Sequence, residues 1–382
     1  MKDIVFITGT RADFGHLRSL IDSCISSGEF NVHIFVTGTH VHSLKNKDKY
    51  GDTSLEINEE YGESTNITMF YNGASDLESM GIIASNTIMG FSKYIEEVHP
   101  DLVVIFGDRI EQLGAAISSV TENILTIQIE AGDLSGTIDE SFRHAISKLC
   151  HAHFTSNKKS ASRLIQMGEK KENIFIIGTP SLDILSEINL TNLEKIKDKY
   201  NIDLEHYSIL IFHPVTTEYQ DARKNARSVV NAIKDSKRNY IVVGPNSDLG
   251  SIYIWNEYKE IFSSIHGIKL FSSLLFRDYL VLLKNADFII GNSSSGIIEA
   301  PYFSVPTVNV GSRQDDRSNN EKIINCGYGK CDILKAIKQA VKLKNPFFNE
   351  FGDGNSGSRF IDILNSDKFW RINKQKKFVD NN

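Results

Sequence analysis

Ile4-Val5-Phe6-Ile7, running straight into Thr8-Gly9-Thr10-Arg11, is the stretch on which the reading of the fold turns. Four successive apolar residues, mostly β-branched, read as a strand buried on both faces. The small and polar residues behind them read as a loop at its carboxyl end. The apolar run stops too soon for the core of a signal peptide. The same unit recurs along the first half. Leu102–Phe106 runs into Gly107-Asp108-Arg109, and Leu125–Ile129 runs into Glu130-Ala131-Gly132-Asp133. Val32–Val36, His153–Thr155 and Ile174–Ile177 are further strand candidates. Phe14–Ile25 and Leu77–Val98 carry apolar residues at helical spacing between them. Strands alternating with helices predict a parallel sheet covered on both faces.

A polar stretch, Ser186–Asp203, interrupts this alternation and reads as a connection between domains. The alternation then restarts, with strand candidates at Ile209–Phe212, Tyr240–Val243, Ile268–Phe271, Phe288–Ile290 and Thr307–Val310. A polar segment and a last candidate helix, Arg359–Leu364, follow. The expected class is α/β, with two doubly wound parallel-sheet, Rossmann-like domains: residues 1–185 and 186–357. The closing segment 358–382 is expected to pack back on the first.

At 382 residues the chain is too long for one ordinary core, which suits two domains. A net charge of -6 argues against a nucleic-acid partner, which demands a basic face, but leaves room for a small anionic ligand. No apolar stretch is long enough to span a membrane. Cys24, Cys150, Cys326 and Cys331 are scattered without CxxC spacing, so neither a zinc site nor a disulfide framework is expected. Reduced thiols and the lack of a targeting signal predict a cytoplasmic protein.

Polar residues gather where strands end. In the second half His213-Pro214, Gly244-Pro245-Asn246 and Gly291-Asn292-Ser293-Ser294-Ser295-Gly296 take these positions. Ligands of open parallel sheets bind beyond the carboxyl ends of the strands, so two facing sheets would pool these clusters in one interdomain cleft. The serine-glycine run is expected to open a helix near Gly296-Ile297-Ile298-Glu299, where free N–H groups suit a diphosphate; a capped turn is the bland alternative. Glu299 reads either as a ribose ligand or as a partner of the helix dipole, and Arg313 as a phosphate contact or an ion-pair partner. Asp108, Glu130 and Asp139 are the acid–base candidates. The first two follow buried strands, whereas Asp139 also suits a helix N-terminus.

Two patterns are read as decoys. Gly352-Asp353-Gly354-Asn355-Ser356-Gly357 matches GxGxxG but follows no strand, and is expected to be a flexible loop. His144, His151 and His153 lack partners at metal-ligand spacing and read as structural.

Gly9-Thr10-Arg11-Ala12-Asp13-Phe14-Gly15, Gly107-Asp108-Arg109, His213-Pro214-Val215-Thr216-Thr217-Glu218 and Asn292–Pro301 resemble, in order, the UDP-N-acetylglucosamine 2-epimerase family. Gly136-Thr137-Ile138-Asp139-Glu140-Ser141-Phe142-Arg143-His144 resembles it too, and the Gly-Thr-Ile-Asp-Glu-Ser part is like its hydrolysing branch, which includes sialic-acid pathway enzymes. The resemblance implies a glycosyltransferase-B-type fold and a homodimer. It implies Asp108, Glu130 and Asp139 as catalytic groups. It implies Arg11, Arg109, His213, Asn246, Ser273, Ser293, Ser294, Glu299 and Arg313 as contacts to UDP. No metal and no cofactor are called for. His16 departs from the lysine that many relatives carry. The implied reaction takes UDP-N-acetylglucosamine and water to N-acetylmannosamine and UDP through a 2-acetamidoglucal-like intermediate. Rival readings are the same chemistry on UDP-2,4-diacetamido-2,4,6-trideoxyglucose, a glycosyltransferase of this fold, and a nucleotide-sugar-binding regulator.

Overall fold

Alternate residues of the first strand belong to two different cores. In β1 (Lys2–Thr8), Ile4 and Phe6 join one hydrophobic cluster, while Val5 and Ile7 join another. In β4 (Leu102–Phe106), Leu102, Val104 and Phe106 face the first cluster and Val103 and Ile105 the second. Side chains alternate across a strand, so a continuous apolar run requires a covered sheet on each face. Helices supply both covers. Arg11–Ser27 brings Phe14, Leu17, Leu20 and Ile21 to the first cluster, and Met80–Val98 brings Phe91, Tyr94 and Ile95 to the second.

The computed structural model describes residues 1–41, 53–73, 80–135, 138–187, 193–246, 248–263, 265–318, 320–343, 350–377 and 379–380. Residues 77–79 of one expected helix, 188–192 of the expected connection, and Gly136 and Thr137 of the Gly-Thr-Ile-Asp-Glu-Ser segment lie outside these. Two compact units are present. The first comprises Met1–Asp133, Asp139–Ser186 and Glu350–Asn382, the second Leu134–Ile138 and Glu187–Asn349.

In the first unit, β2 (Phe30–Val36), β3 (Asn66–Met69), β5 (Leu125–Ile129), β6 (Ala152–Thr155) and β7 (Ile174–Ile176) complete a seven-stranded parallel sheet of order β3-β2-β1-β4-β5-β6-β7. β1 is flanked by β2 and β4, with Ile4 opposite both Val32 and Leu102. The chain therefore reverses its direction of travel across the sheet between β1 and β4, the switch point at which ligands bind in such folds. β3 was not anticipated. It is an edge strand whose residues are all partly or fully exposed, so it lacks the apolar run that marks its neighbours.

The helix Ser356–Leu364 places Phe360 and Leu364 in the first cluster, beside Phe6 and Phe154. Burying Phe360 contributes about 2 kcal/mol. Its N-terminus corrects one expectation: Gly352–Gly357 is an anchored turn rather than a flexible loop. The N–H groups of Ser356 and Gly357 donate to Asp183 Oδ1 and Oδ2 at 2.9 and 2.6 Å. Burial raises the pKa of Asp183 against the pull of these two donors. Those amides already hold a carboxylate.

In the second unit, β8 (Ser208–Ile211), β9 (Tyr240–Val243), β10 (Ile268–Phe271), β11 (Ile289–Gly291), β12 (Thr307–Val310) and β13 (Ile323–Cys326) form a parallel sheet of order β10-β9-β8-β11-β12-β13. Its switch point lies between β8 and β11. The helices Ala222–Ser236 and Ser251–Phe262 cover one face through Val229, Val230, Ile233, Ile254 and Tyr258. Here too the edge strand, β13, escaped the sequence reading. The stretch read as a plain connection contains a helix, Leu193–Lys199, with no buried residue. Among the described residues, no helix is long and apolar enough to cross a membrane.

Candidate active site

At the first switch point, buried Gln112 ties the two strand ends together. Its Nε2 donates to Ile7 O at 3.2 Å, and its Oε1 accepts the Phe106 N–H at 3.4 Å. Thr10 caps the helix Arg11–Ser27 by accepting the Asp13 N–H, and Asp13 in turn accepts the Gly9 N–H at 3.2 Å. Burial raises the Asp13 pKa, opposed by nearby Arg109 and by hydrogen bonds from Thr10 and Gly9. The loop after β2 closes over this turn. Gly38 has φ +59°, and a side-chain carbon there would lie 2.4 Å from Gly9 O.

The turns behind β4 and β5 converge on one cation. Arg143, 2% exposed on the helix Ile138–Leu149, donates through Nη2 to Asp108 Oδ2 and through Nη1 to the backbone oxygen of Glu130 at 2.9 Å. Burial opposes the guanidinium charge. The carboxylates of Asp108, Asp133, Glu130 and Asp139 outweigh it and raise the pKa of Arg143. Gln128 fastens the same region, donating to Gly107 O and Arg143 O.

Glu130 itself has φ +56°, a left-handed conformation that costs a non-glycine residue about 1 kcal/mol. The turn is held by Arg143 below and by Gly132, where a side-chain carbon would meet Ser160 O at 2.4 Å. Its carboxylate is 3% exposed as a residue, accepts Thr179 Oγ1 at 3.0 Å and lies 3.3 Å from His16 Nδ1. His16 stacks at a tilt on Phe106, with ring centroids 4.9 Å apart. Asp139, half-buried, lies in the first turn of its helix beside Glu140.

Two cations of this group are engaged within the protein. Arg11 Nη2 donates to Glu56 at 3.0 Å, and Glu56 also takes Arg18 at 2.6 Å. Arg109 stands just before the helix Ile110–Thr121 without capping it, its Nε 3.9 Å from buried Glu111. The three histidines set aside above go to different neighbours: His144 lies 3.8 Å from Glu140, His151 accepts the Thr126 N–H, and His153 bonds Glu169.

The second switch point is built around His213 and Asn292. Asn292 Oδ1 accepts the His213 N–H at 2.7 Å, and its Nδ2 donates to His213 O at 2.9 Å. The Asn246 N–H donates to His213 Nδ1 at 3.0 Å, which leaves the ring proton on Nε2. Arg313 and Gln314 both donate to Asn292 O at 3.0 Å. Gly291 makes this approach possible. At φ +132°, a side-chain carbon there would lie 1.8 Å from Ile211 O.

The serine loop differs from expectation. Instead of opening a long helix, Ser294–Gly296 forms a single 3-10 turn, followed by a four-residue helix, Glu299–Tyr302. Pro301 lacks an N–H, and Ser304 at φ +60° ends the helix. Little axial dipole accrues over one turn, so any anion must be met by individual donors. Ser293 caps the turn by accepting the Ser295 N–H, and Ser294 is half-buried beside it. Glu299 is 2% exposed, and Ser273 is half-buried on the loop after β10. The seven second-unit candidates thus follow the carboxyl ends of β8 to β12, as the five of the first unit follow β1, β4 and β5.

Residues 23–365 match the sequence profile described as UDP-N-acetylglucosamine 2-epimerase. The chain belongs to that family. It is 39% identical over 386 residues to the UDP-N-acetylglucosamine 2-epimerase of Neisseria meningitidis serogroup B, covering 100% of each chain. It is 34% identical to the UDP-N,N'-diacetylbacillosamine 2-epimerase (hydrolyzing) of Legionella pneumophila, covering 95% of this chain and 96% of that one. S. aureus MnaA, solved with UDP, superposes with a TM-score of 0.79 at 20% identity, with all of both chains covered. The fold of this family member is of the glycosyltransferase-B type.

Asp13, Gln112, Arg143 and Asn292 brace the candidate site through the bonds given above and were not singled out by the sequence reading. Asp13 and Asn292 stand inside motifs quoted above. Arg143 stands in the Gly136–His144 motif without an assigned role, and Gln112 announces nothing locally, because their partners come from other elements.

Proposed function

We propose that this protein is a hydrolysing UDP-N-acetylglucosamine 2-epimerase, releasing UDP and N-acetylmannosamine for sialic (nonulosonic) acid synthesis. The observation that carries the reading is the gathering of Asp108, Glu130 and Asp139 about Arg143. In such a set, environment separates the proton affinities of like groups, giving an acid and a base from carboxyls alone. One carboxylate takes the C2 proton, and the C2–H electrons become the C1=C2 double bond. The C1–O bond breaks and its electron pair leaves with UDP. Water then adds its oxygen to C1 of the 2-acetamidoglucal, and a proton reaches C2 from the opposite face. No cofactor enters.

His213, Asn246, Ser273, Ser293, Ser294, Glu299 and Arg313, with Arg11 and Arg109, hold UDP in this reading. The Nε2–H of His213 is the donor aimed at developing phosphate charge, and donors directed at such charge contribute most to the rate. The UDP of the S. aureus structure and the hydrolysing Legionella relative support this assignment. The reading carries with it a cytoplasmic homodimer. Family membership leaves the glycosyltransferase and regulator readings without support.

The second reading keeps the chemistry and changes the sugar to UDP-2,4-diacetamido-2,4,6-trideoxyglucose, favoured by the 34% identity to the diacetylbacillosamine enzyme. Incubation with UDP-N-acetylglucosamine in D₂O, followed by proton NMR, tests both. Free UDP with N-acetylmannosamine deuterated at C2 supports the first reading. An inert substrate favours the diacetamido sugar, and UDP-N-acetylmannosamine formed without UDP release refutes hydrolysis.

A further inference from the structure

A cavity of about 520 Å³ opens at the other edge of the first unit's sheet, where β6 and β7 begin. His151 and Asn173, which line it, immediately precede those two strands. Asp108 and Glu130 follow the opposite ends of β4 and β5, so the cavity is separate from the candidate active site. Its volume lies in the usual range for small-molecule sites.

The frame is tied by partly buried polar bonds. Lys376 Nζ donates to Ser147 O, Cys150 O and Glu169 Oε2 at 3.0, 2.7 and 2.6 Å. Glu169, 4% exposed, also takes Lys148 and His153. His151 Nδ1 accepts the Thr126 N–H, so its Nε2 donates to Lys374 O at 3.0 Å. These contacts fix residues 374–376, of which Gln375 and Lys376 form part of one wall. Phe175, Ile363, Phe369 and Ile372 supply apolar surface.

The charge of the lining runs against that of the chain. Lys170, Lys368, Arg371 and Lys377 line the cavity with no side-chain partner among the described residues, against two uncommitted carboxylates, Glu172 and Asp362. The protein as a whole carries -6. Uncommitted cations beside apolar surface match a ligand with an anionic group on an aromatic body.

We propose that this cavity binds a small aromatic anion of the nucleoside monophosphate kind, its phosphate at Lys368 and Arg371 and its ring against Phe175 and Ile372. The proposal does not rest on the catalytic reading, since variants at the cavity localise the binding. The experiment titrates adenosine 5′-monophosphate into the whole protein by calorimetry, with saturating UDP present. It is repeated with K368A/R371A, which alters two exposed residues, and with inorganic phosphate as titrant. We expect saturable binding of the nucleotide that weakens by about tenfold or more in the double variant, with melting temperature and UDP release unchanged. Equal binding by the double variant, or no binding at millimolar nucleotide, overturns the site. Inorganic phosphate binding as tightly as the nucleotide overturns the aromatic part of the assignment.

Discussion

Asn292 grips the backbone of His213 at both ends, accepting its N–H at 2.7 Å and donating to its carbonyl at 2.9 Å. The amide is fully buried, so truncation leaves two peptide groups without partners. Asn292→Ala is expected to cost about 2–3 kcal/mol in denaturant melts and to weaken UDP binding about tenfold in calorimetry. Unchanged UDP affinity would show that His213 is held well enough without it.

Arg143→Lys keeps the charge but cannot reach both Asp108 and the Glu130 carbonyl. Turnover is expected to fall by about two orders of magnitude, with a smaller change in KM. A KM effect alone would place Arg143 among binding residues.

His16 lies 3.3 Å from Glu130 Oε1. His16→Ala removes that neighbour and is expected to lower kcat by about tenfold, whereas His16→Lys restores a donor and recovers most of it. Steady-state assays of both variants check this. Failure of the lysine to rescue would mean that stacking on Phe106 is what matters.

Gly291→Ala sets a side-chain carbon against Ile211 O in a backbone conformation that L-residues rarely adopt. A loss of at least about 3 kcal/mol is expected, read as low soluble yield or an early melting transition.

Burial pushes the Glu169 carboxyl upward, but hydrogen bonds from His153, Lys148 and Lys376 prevail and hold its pKa at about 2, below the ordinary 4.5. A depressed carboxylate contributes stability that is complete above its unfolded pKa and is lost as pH falls from there through the folded value. Denaturant melts between pH 6 and pH 2 are expected to show this loss below about pH 4.5. In Glu169→Gln the loss is smaller, and stability at pH 7 is lower by about 3 kcal/mol.

Central strands were legible because a run such as Leu102–Phe106 is apolar on both faces, which only a doubly covered sheet demands. The acids behind them stood out for the same reason, polar groups where a core ends. The edges β3 and β13 were not legible, since half-exposed strands carry mixed residues. The helix expected after the serines fails at Pro301, quoted in the motif but read for chemistry alone, and at Ser304 just beyond it, whose left-handed backbone nothing in its residue type announces. Arg143 and Asn292 were quoted within motifs but given no role, because nothing in their own segments shows that Asp108, Glu130 or His213 will be folded against them. Glu130 is the most instructive case: its position was plain, its left-handed backbone was not.

The first unit's core needs Phe360, Leu364 and Phe369, while every residue of the second unit precedes position 350. On the ribosome the order of completion is therefore inverted. The second unit has its full complement while the first still lacks three aromatic and aliphatic plugs. Until residue 369 is clear of the exit tunnel, the early-made half carries an open apolar face, and a translational stall or premature stop in that interval releases a chain primed to aggregate rather than a smaller working enzyme.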